Sequence, residues 1–211
     1  MLVSGFTFNA FSENTYLLHD ATKECVVVDP GCYSRDEQQA LREFIAAEQL
    51  RVVLLVNTHA HIDHVLGNQF ILDTYKVPFL LHEADVATLR AVQTYAPSYG
   101  FAQYQPADPT GTLVAGEPIR FGNTELEVRF APGHAPGHVI FYHAPSQVVI
   151  GGDVLFQGSI GRTDLPGGDY ATLIRSIKTE LLSLPDEVTV YPGHGPATTI
   201  GAERVSNPFL K

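Results

Sequence analysis

The chain is poor in several residue classes. Only two of its 211 residues are cysteine, Cys25 and Cys32. Two thiols make no disulfide framework, so a reducing cytoplasm is the expected compartment. Cys32 beside a turn reads as a structural thiol rather than a redox centre. Cations are scarce as well: 13 Lys and Arg stand against 23 Asp and Glu, a formal charge of −10. That surface repels phosphate backbones and argues against a nucleic-acid partner. No apolar run approaches the roughly 20 residues of a membrane span, so no membrane partner is read either. The opening stretch MLVSGFTFNAFSENTYLLHD lacks a basic start followed by a continuous apolar segment, and carries no export signal. Repeats, heptads and low-complexity segments are missing too.

What is present is a 45% apolar content, enough for a sizeable core, and nine histidines. NTYLLHD and ECVVVDPG read as two strands around a short turn. Ser34 and Glu37 form a capping box for a helix whose apolar stripe holds Leu41, Phe44 and Ile45. RVVLLVNT reads as a strand buried on both faces. LGNQFILDTYK is predicted helical and ended by Pro78, PFLLH a short strand, EADVATLRAV a helix. From Tyr95 to Gly116 the pattern dissolves into a long aromatic loop or lid. TELEVRF, HVIFYHA and QVVIGGD are three further strands. DYATLIRSIKTELLSLP reads as one amphipathic helix, with Leu173, Ile174, Ile177, Leu181 and Leu184 on one side. EVTVYPGHGP is a last strand and loop, followed by a short C-terminal segment.

Between Asn57 and Asn68 runs NTHAHIDHVLGN, which packs His59, His61, Asp63 and His64 into six residues. In an extended loop, residues two apart point to the same side, so His59 and His61 can grip one ion together. Asp63 and His64 fall where the next helix begins and can grip a second. Imidazole and carboxylate suit zinc, and equally iron or manganese. Close-spaced histidines repel one another once protonated and serve no packing purpose, which disfavours a purely structural role. Three more candidates lie at strand ends: His134 in APGHAPGH, Asp153 closing VVIGGD and His194 in YPGHGP. Five histidines and two aspartates suffice for a three-histidine site, an Asp-His-His site and one bridging carboxylate. Each ion keeps an open position for water, as catalytic sites do.

NTYLLHD, VVDPG, NTHAHIDH, APGHAPGH, GGD and PGHGP, in this order over nearly the whole chain, resemble the metallo-β-lactamase fold superfamily. GSIGRTDLPGGD is similar to the short bacterial members of its glyoxalase II-like hydrolases. The resemblance implies an α/β (α+β) class fold, a four-layer αββα sandwich of two mixed β-sheets. It implies a single domain over residues 1–211, without the helical C-terminal domain of full-length glyoxalase II. It also implies two divalent ions per chain, zinc foremost. His59, His61 and His134 would hold the first, Asp63, His64 and His194 the second, and Asp153 would bridge them. Asp63 would in addition orient the attacking oxygen or accept a proton. The implied reaction is hydrolysis of a small-molecule thioester of the S-lactoylglutathione type by a hydroxide shared between the metals. The same resemblance admits a persulfide dioxygenase with one iron on His59, His134 and Asp153, and less readily a lactonase or β-lactamase. The motifs fix no oligomeric state.

Other residues have two readings each. Asp29 supports a ligand histidine by hydrogen bond or simply precedes a turn. His138 steadies the site or serves structure, and is not counted as a ligand. Arg162 meets a substrate carboxylate or pairs with Asp164. Tyr95, Tyr99, Phe101 and Tyr104 wall a substrate pocket or pin their own loop. His19, His82 and His143 are expected to be ordinary polar residues.

Overall fold

The computed structural model describes all 211 residues. Its backbone divides into two units: residues 1–113 with 120–124, and residues 114–119 with 125–211.

The first unit runs β1 (Leu2–Phe8), β2 (Glu13–His19), β3 (Glu24–Val28), α1 (Arg35–Ala47), β4 (Arg51–Val56), α2 (Ile62–Val65), α3 (Asn68–Tyr75), β5 (Phe79–Leu81), α4 (Val86–Tyr95) and β6 (Gly111–Thr112). The strands form one mixed sheet in chain order. β1, β2 and β3 pair antiparallel, then β3 through β6 pair parallel. β2 lies between two neighbours and is buried along its whole length. α1 starts at the Ser34 capping box, where Glu37 N donates to Ser34 Oγ at 3.2 Å and Ser34 N donates to Glu37 Oε2 at 2.8 Å. Its Leu41 and Ile45 enter a core shared with Leu17, Val27, Leu55 and Phe79. Burial of that apolar surface is the main favourable term for the unit.

The second unit carries β8 (Thr124–Phe130), β9 (Val139–His143), β10 (Val148–Gly152), β11 (Leu155–Phe156), β12 (Ser159–Ile160), α5 (Tyr170–Ser176), β13 (Thr189–Pro192), β14 (Thr198–Thr199) and α6 (Ile200–Ser206); β7 (Ile119–Phe121) precedes them. The sheet order is β14-β13-β10-β9-β8-β7, and β11-β12 is a separate hairpin. β10 and β13 pair parallel; β8–β9, β9–β10 and β13–β14 are antiparallel. β8, β10 and β13 therefore all run the same way, and the loops leaving their C-terminal ends emerge on one side of the sheet. Leu173, Ile177, Leu181 and Val190 build the core.

Two mixed sheets flanked by helices agree with the fold class read from the sequence. Several local expectations need correction. LVSGFTF, not assigned to any element from the sequence, is a strand, β1. Tyr95 ends α4, residues 96–99 form a 3-10 turn, and β6 pairs with β5, so the irregular stretch is shorter than Tyr95–Gly116. The helix after Asp169 is α-helical only to Ser176 and continues as a π-helical turn over Ile177–Leu181. The C-terminal segment contains β14 and α6. Both cysteines are buried and free. Burial pushes the Cys25 thiol up to about 12 and raises Cys32 as well, which leaves both inert.

Candidate metal centre

In the first unit the sheet delivers the cluster directly. β4 ends at Val56, and Asn57, Thr58 and His59 follow in the loop. His61 is the N-cap residue of α2, so Asp63 and His64 sit on that helical turn. The His59 and His61 rings lie 4.8 Å apart, edge to face, and His59 and His64 lie 4.1 Å apart. His64 Nε2 is 3.6 Å from Asp63 Oδ2.

Asp29, at the end of β3, organises this half. It takes φ 48°, a left-handed conformation that a short polar side chain tolerates. Its Oδ1 accepts from Thr58 N at 2.7 Å and Asn57 Nδ2 at 3.2 Å. Its Oδ2 accepts from Thr58 Oγ1 at 2.6 Å and lies 3.2 Å from His64 Nδ1. A carboxylate can only accept, so His64 carries its proton on Nδ1 and turns a lone pair outward on Nε2. The Thr58 hydroxyl spends its one proton on Asp29. Its 3.1 Å contact with His59 Nδ1 is therefore donated by His59, whose lone pair also lies on Nε2. Asp29, His59 and His64 all place donor atoms within 4.8 Å of one another. With four donors already on it, Asp29 acts as the orienting carboxylate rather than as a ligand.

Three further side chains hold this half, and sequence reasoning missed them. Asn9 Nδ2 donates to the Asp63 and Gly31 carbonyls, both at 3.1 Å. Glu37, beyond its capping role, accepts from Asn9 N at 2.6 Å. Glu13 is fully buried; it accepts from Thr15 Oγ1 at 2.9 Å and lies 3.9 Å from His64 Nδ1. Burial raises its carboxyl well above the usual range, against the pull of His64. A Cβ on Gly31 would overlap the Glu13 carboxylate and press on the Asp63 carbonyl, so this junction closes only around glycine.

In the second unit His134, Asp153 and His194 follow β8, β10 and β13, the three strands that run the same way. Gly193 N donates to Gly152 O at 2.8 Å, which sets the Asp153 and His194 loops side by side. His134 Nε2 and His194 Nε2 each lie 3.5 Å from the same oxygen, Asp153 Oδ2. His134 Nδ1 bonds the Arg162 carbonyl at 2.8 Å, and a carbonyl only accepts, so Nε2 again bears the lone pair. His138 is used the opposite way: its Nε2 accepts from Asp153 N at 3.0 Å, which spends that nitrogen on holding the aspartate. Arg162 pairs bidentately with Asp164, at 2.7 Å for each bond, on the open surface. The GRTD segment thus serves the site through a backbone carbonyl, a role no side-chain motif announces.

The other histidines have local work. His82 accepts from Ala84 N and His143 from Ser146 N, each closing a 3-10 turn, while His19 contacts Ser4 Oγ.

The chemistry of the donors fits divalent metal. Each unit presents imidazole lone pairs beside carboxylate oxygen, with the opposite ring nitrogens of His59, His64 and His134 fixed from behind. Comparison with known proteins agrees. A family model described as the metallo-beta-lactamase superfamily matches residues 9–194. Hydroxyacylglutathione hydrolase GloC of Haemophilus influenzae is 37% identical over 203 residues, 95% of this chain and 94% of that protein. Among solved structures, BLEG-1 B3 metallo-beta-lactamase superposes with a TM-score of 0.91 at 36% identity over the full length of both chains. TTHA1623, solved in a di-iron-bound form, superposes at 0.88 with 38% identity, covering 99% of this chain and 100% of that one.

Proposed function

The chain belongs to the metallo-beta-lactamase superfamily, and from that premise we propose that it hydrolyses thioesters of the hydroxyacylglutathione type at a dinuclear metal centre. The observation that carries the reading is Asp153 Oδ2, equidistant at 3.5 Å from His134 and His194. The family resemblance assigns those two histidines to different ions, and one carboxylate oxygen shared between them is what a bridging ligand requires. His59, His61 and His134 would hold one ion, Asp63, His64 and His194 the other. The similarity to GloC supports the thioester class.

Two divalent cations bound there would supply the chemistry of lowering the pKa of water to about 7 and drawing charge from a carbonyl oxygen. This chain's residues supply the rest. Asp29 and Thr58 fix the tautomers of His64 and His59, and the Arg162 carbonyl fixes His134. His138 holds the backbone of Asp153. Asp63, half-buried on the first turn of α2, would hold the second ion and in addition orient the attacking oxygen or accept a proton. A thiolate leaves readily, so no strong general acid is required.

The test is turnover of S-lactoylglutathione by the metal-loaded protein, with nitrocefin and glutathione persulfide as competing substrates. Thioester turnover well above the other two is expected. Oxygen uptake with the persulfide and no thioester cleavage would replace this reading with a mononuclear-iron dioxygenase on His59, His134 and Asp153. Nitrocefin cleavage alone would place the chain beside BLEG-1 in activity.

A further inference from the structure

The histidine loop leaves the first sheet from β4, which lies between β3 and β5. Each of those neighbours sends one aspartate to it. Asp29, at the end of β3, accepts from Thr58 N at 2.7 Å. Asp85 follows β5 on a short 3-10 turn, Glu83–Asp85, and its Oδ2 accepts from Ala60 N at 2.8 Å. The two carboxylates thus hold the backbone N–H groups one residue before and one residue after His59.

Ala60 decides how His59 and His61 stand to each other. Side chains two residues apart face the same way only while the residue between them is extended. His61 is itself extended, at φ −68° and ψ 153°. Ala60 is fully buried, so its N–H cannot turn to water and needs an acceptor inside the protein. β4 has already ended at Val56, and the acceptor comes from a side chain instead.

Asp85 is an unexpected supplier. It stands at the N-cap of α4, where an aspartate ordinarily accepts from the first turn of its own helix. Here its side chain makes no capping bond to that helix. Its carboxylate is as buried as Ala60, a placement that is costly for a charge unless hydrogen bonds hold it. The group that could have served α4 is directed to the histidine loop.

We infer that Asp85 is a positioning residue for the His59–His61 pair. It fixes the peptide between the two rings, so that both imidazoles meet one ion. The inference rests on the metal-centre reading above and adds to it a residue outside the seven ligand positions.

Zinc affinity is measured by competition with a chromophoric chelator, for the wild type, Asp85→Ala, Asp85→Asn and Ile45→Ala. Ile45, buried on α1 in the apolar core, controls for lost stability alone. Asp85→Ala is expected to bind zinc about 10- to 100-fold more weakly. Asp85→Asn keeps an oxygen that accepts from Ala60 N, and its affinity should return to within about 5-fold of the wild type. Ile45→Ala should lower the thermal midpoint and leave zinc affinity unchanged. Where Asp85→Ala does not fold, Asp85→Glu takes its place: the charge stays, the reach grows by one methylene, and the same loss is expected. Wild-type affinity in the Ala or Glu variant, an equal loss in Ile45→Ala, or a loss in Asp85→Asn as deep as in Asp85→Ala overturns the positioning role. A wild type that retains no zinc removes the metal centre and the role with it. A wild type that binds zinc no better than the Asp85 variants do removes the role alone.

Discussion

Alanine in place of His61 is expected to abolish metal retention and hydrolysis together. The ring is half-buried and makes no capping bond to α2, whose first turn it precedes. The metal-free protein is expected to remain folded, with its helical signal retained in circular dichroism. The effect falls on the metal. Of three imidazoles proposed for the first ion, one disappears, and the two that remain must also compete with water. The stabilisation that bound metal adds to the folded state disappears with it. Elemental analysis and thioester turnover, run on the same preparation, check this. Full turnover with the metal lost would sink the dinuclear reading; full metal and full turnover would remove His61 from the site.

Alanine in place of Asp29 is expected to act on both stability and metal affinity. Asp29 is 2% exposed. Its loss takes the acceptor from the Thr58 N–H, the Thr58 hydroxyl and His64 Nδ1–H in a buried place, while Asn57 Nδ2 keeps its bond to His64 O; each buried group that loses its acceptor costs about 1–3 kcal/mol. The Thr58 hydroxyl also loses the acceptor that fixes its proton, so His59 is freed along with His64. Metal affinity should then fall about 10- to 100-fold. Asp29→Asn separates the two effects. Its carbonyl oxygen still accepts from Thr58 N, while its amide faces two donors, Thr58 Oγ1 and His64 Nδ1. Stability should recover in part and affinity should not. Chemical denaturation of metal-free protein and zinc titration measure the two quantities. Lost stability with unchanged affinity would reduce Asp29 to a turn residue.

Much of this was legible in the sequence. The cluster from His59 to His64 advertised itself by composition, and His134, Asp153 and His194 by their place at the ends of apolar strands. What escaped depends on hydrogen bonds between residues far apart in the chain. Asn9 reaches Asp63 across 54 positions and His134 reaches Arg162 across 28. Neither pairing leaves a local pattern, and a backbone carbonyl leaves no residue-type signal at all. Glu13 draws no reading at all, because nothing in ENTYLL shows that the residue pairs with Phe8 of β1 and is buried near His64. The end of α5 is similar: no proline or glycine interrupts RSIKTELL, and Leu173, Ile177 and Leu181 fit an α-helical spacing even where the backbone widens to a π turn. α6 is held by Glu203, buried, which accepts from Thr198 Oγ1, Asn207 Nδ2 and Gly158 N. A glutamate buried by such partners reads as a surface residue until the chain is folded.

The most direct test of the central claim is metal stoichiometry. The protein is produced in medium supplying zinc, iron and manganese together, and metal per chain is determined by elemental analysis. A dinuclear centre bridged by Asp153 predicts about two divalent ions per chain, with both lost on chelation. A single iron per chain, unchanged when excess zinc is supplied, would contradict it.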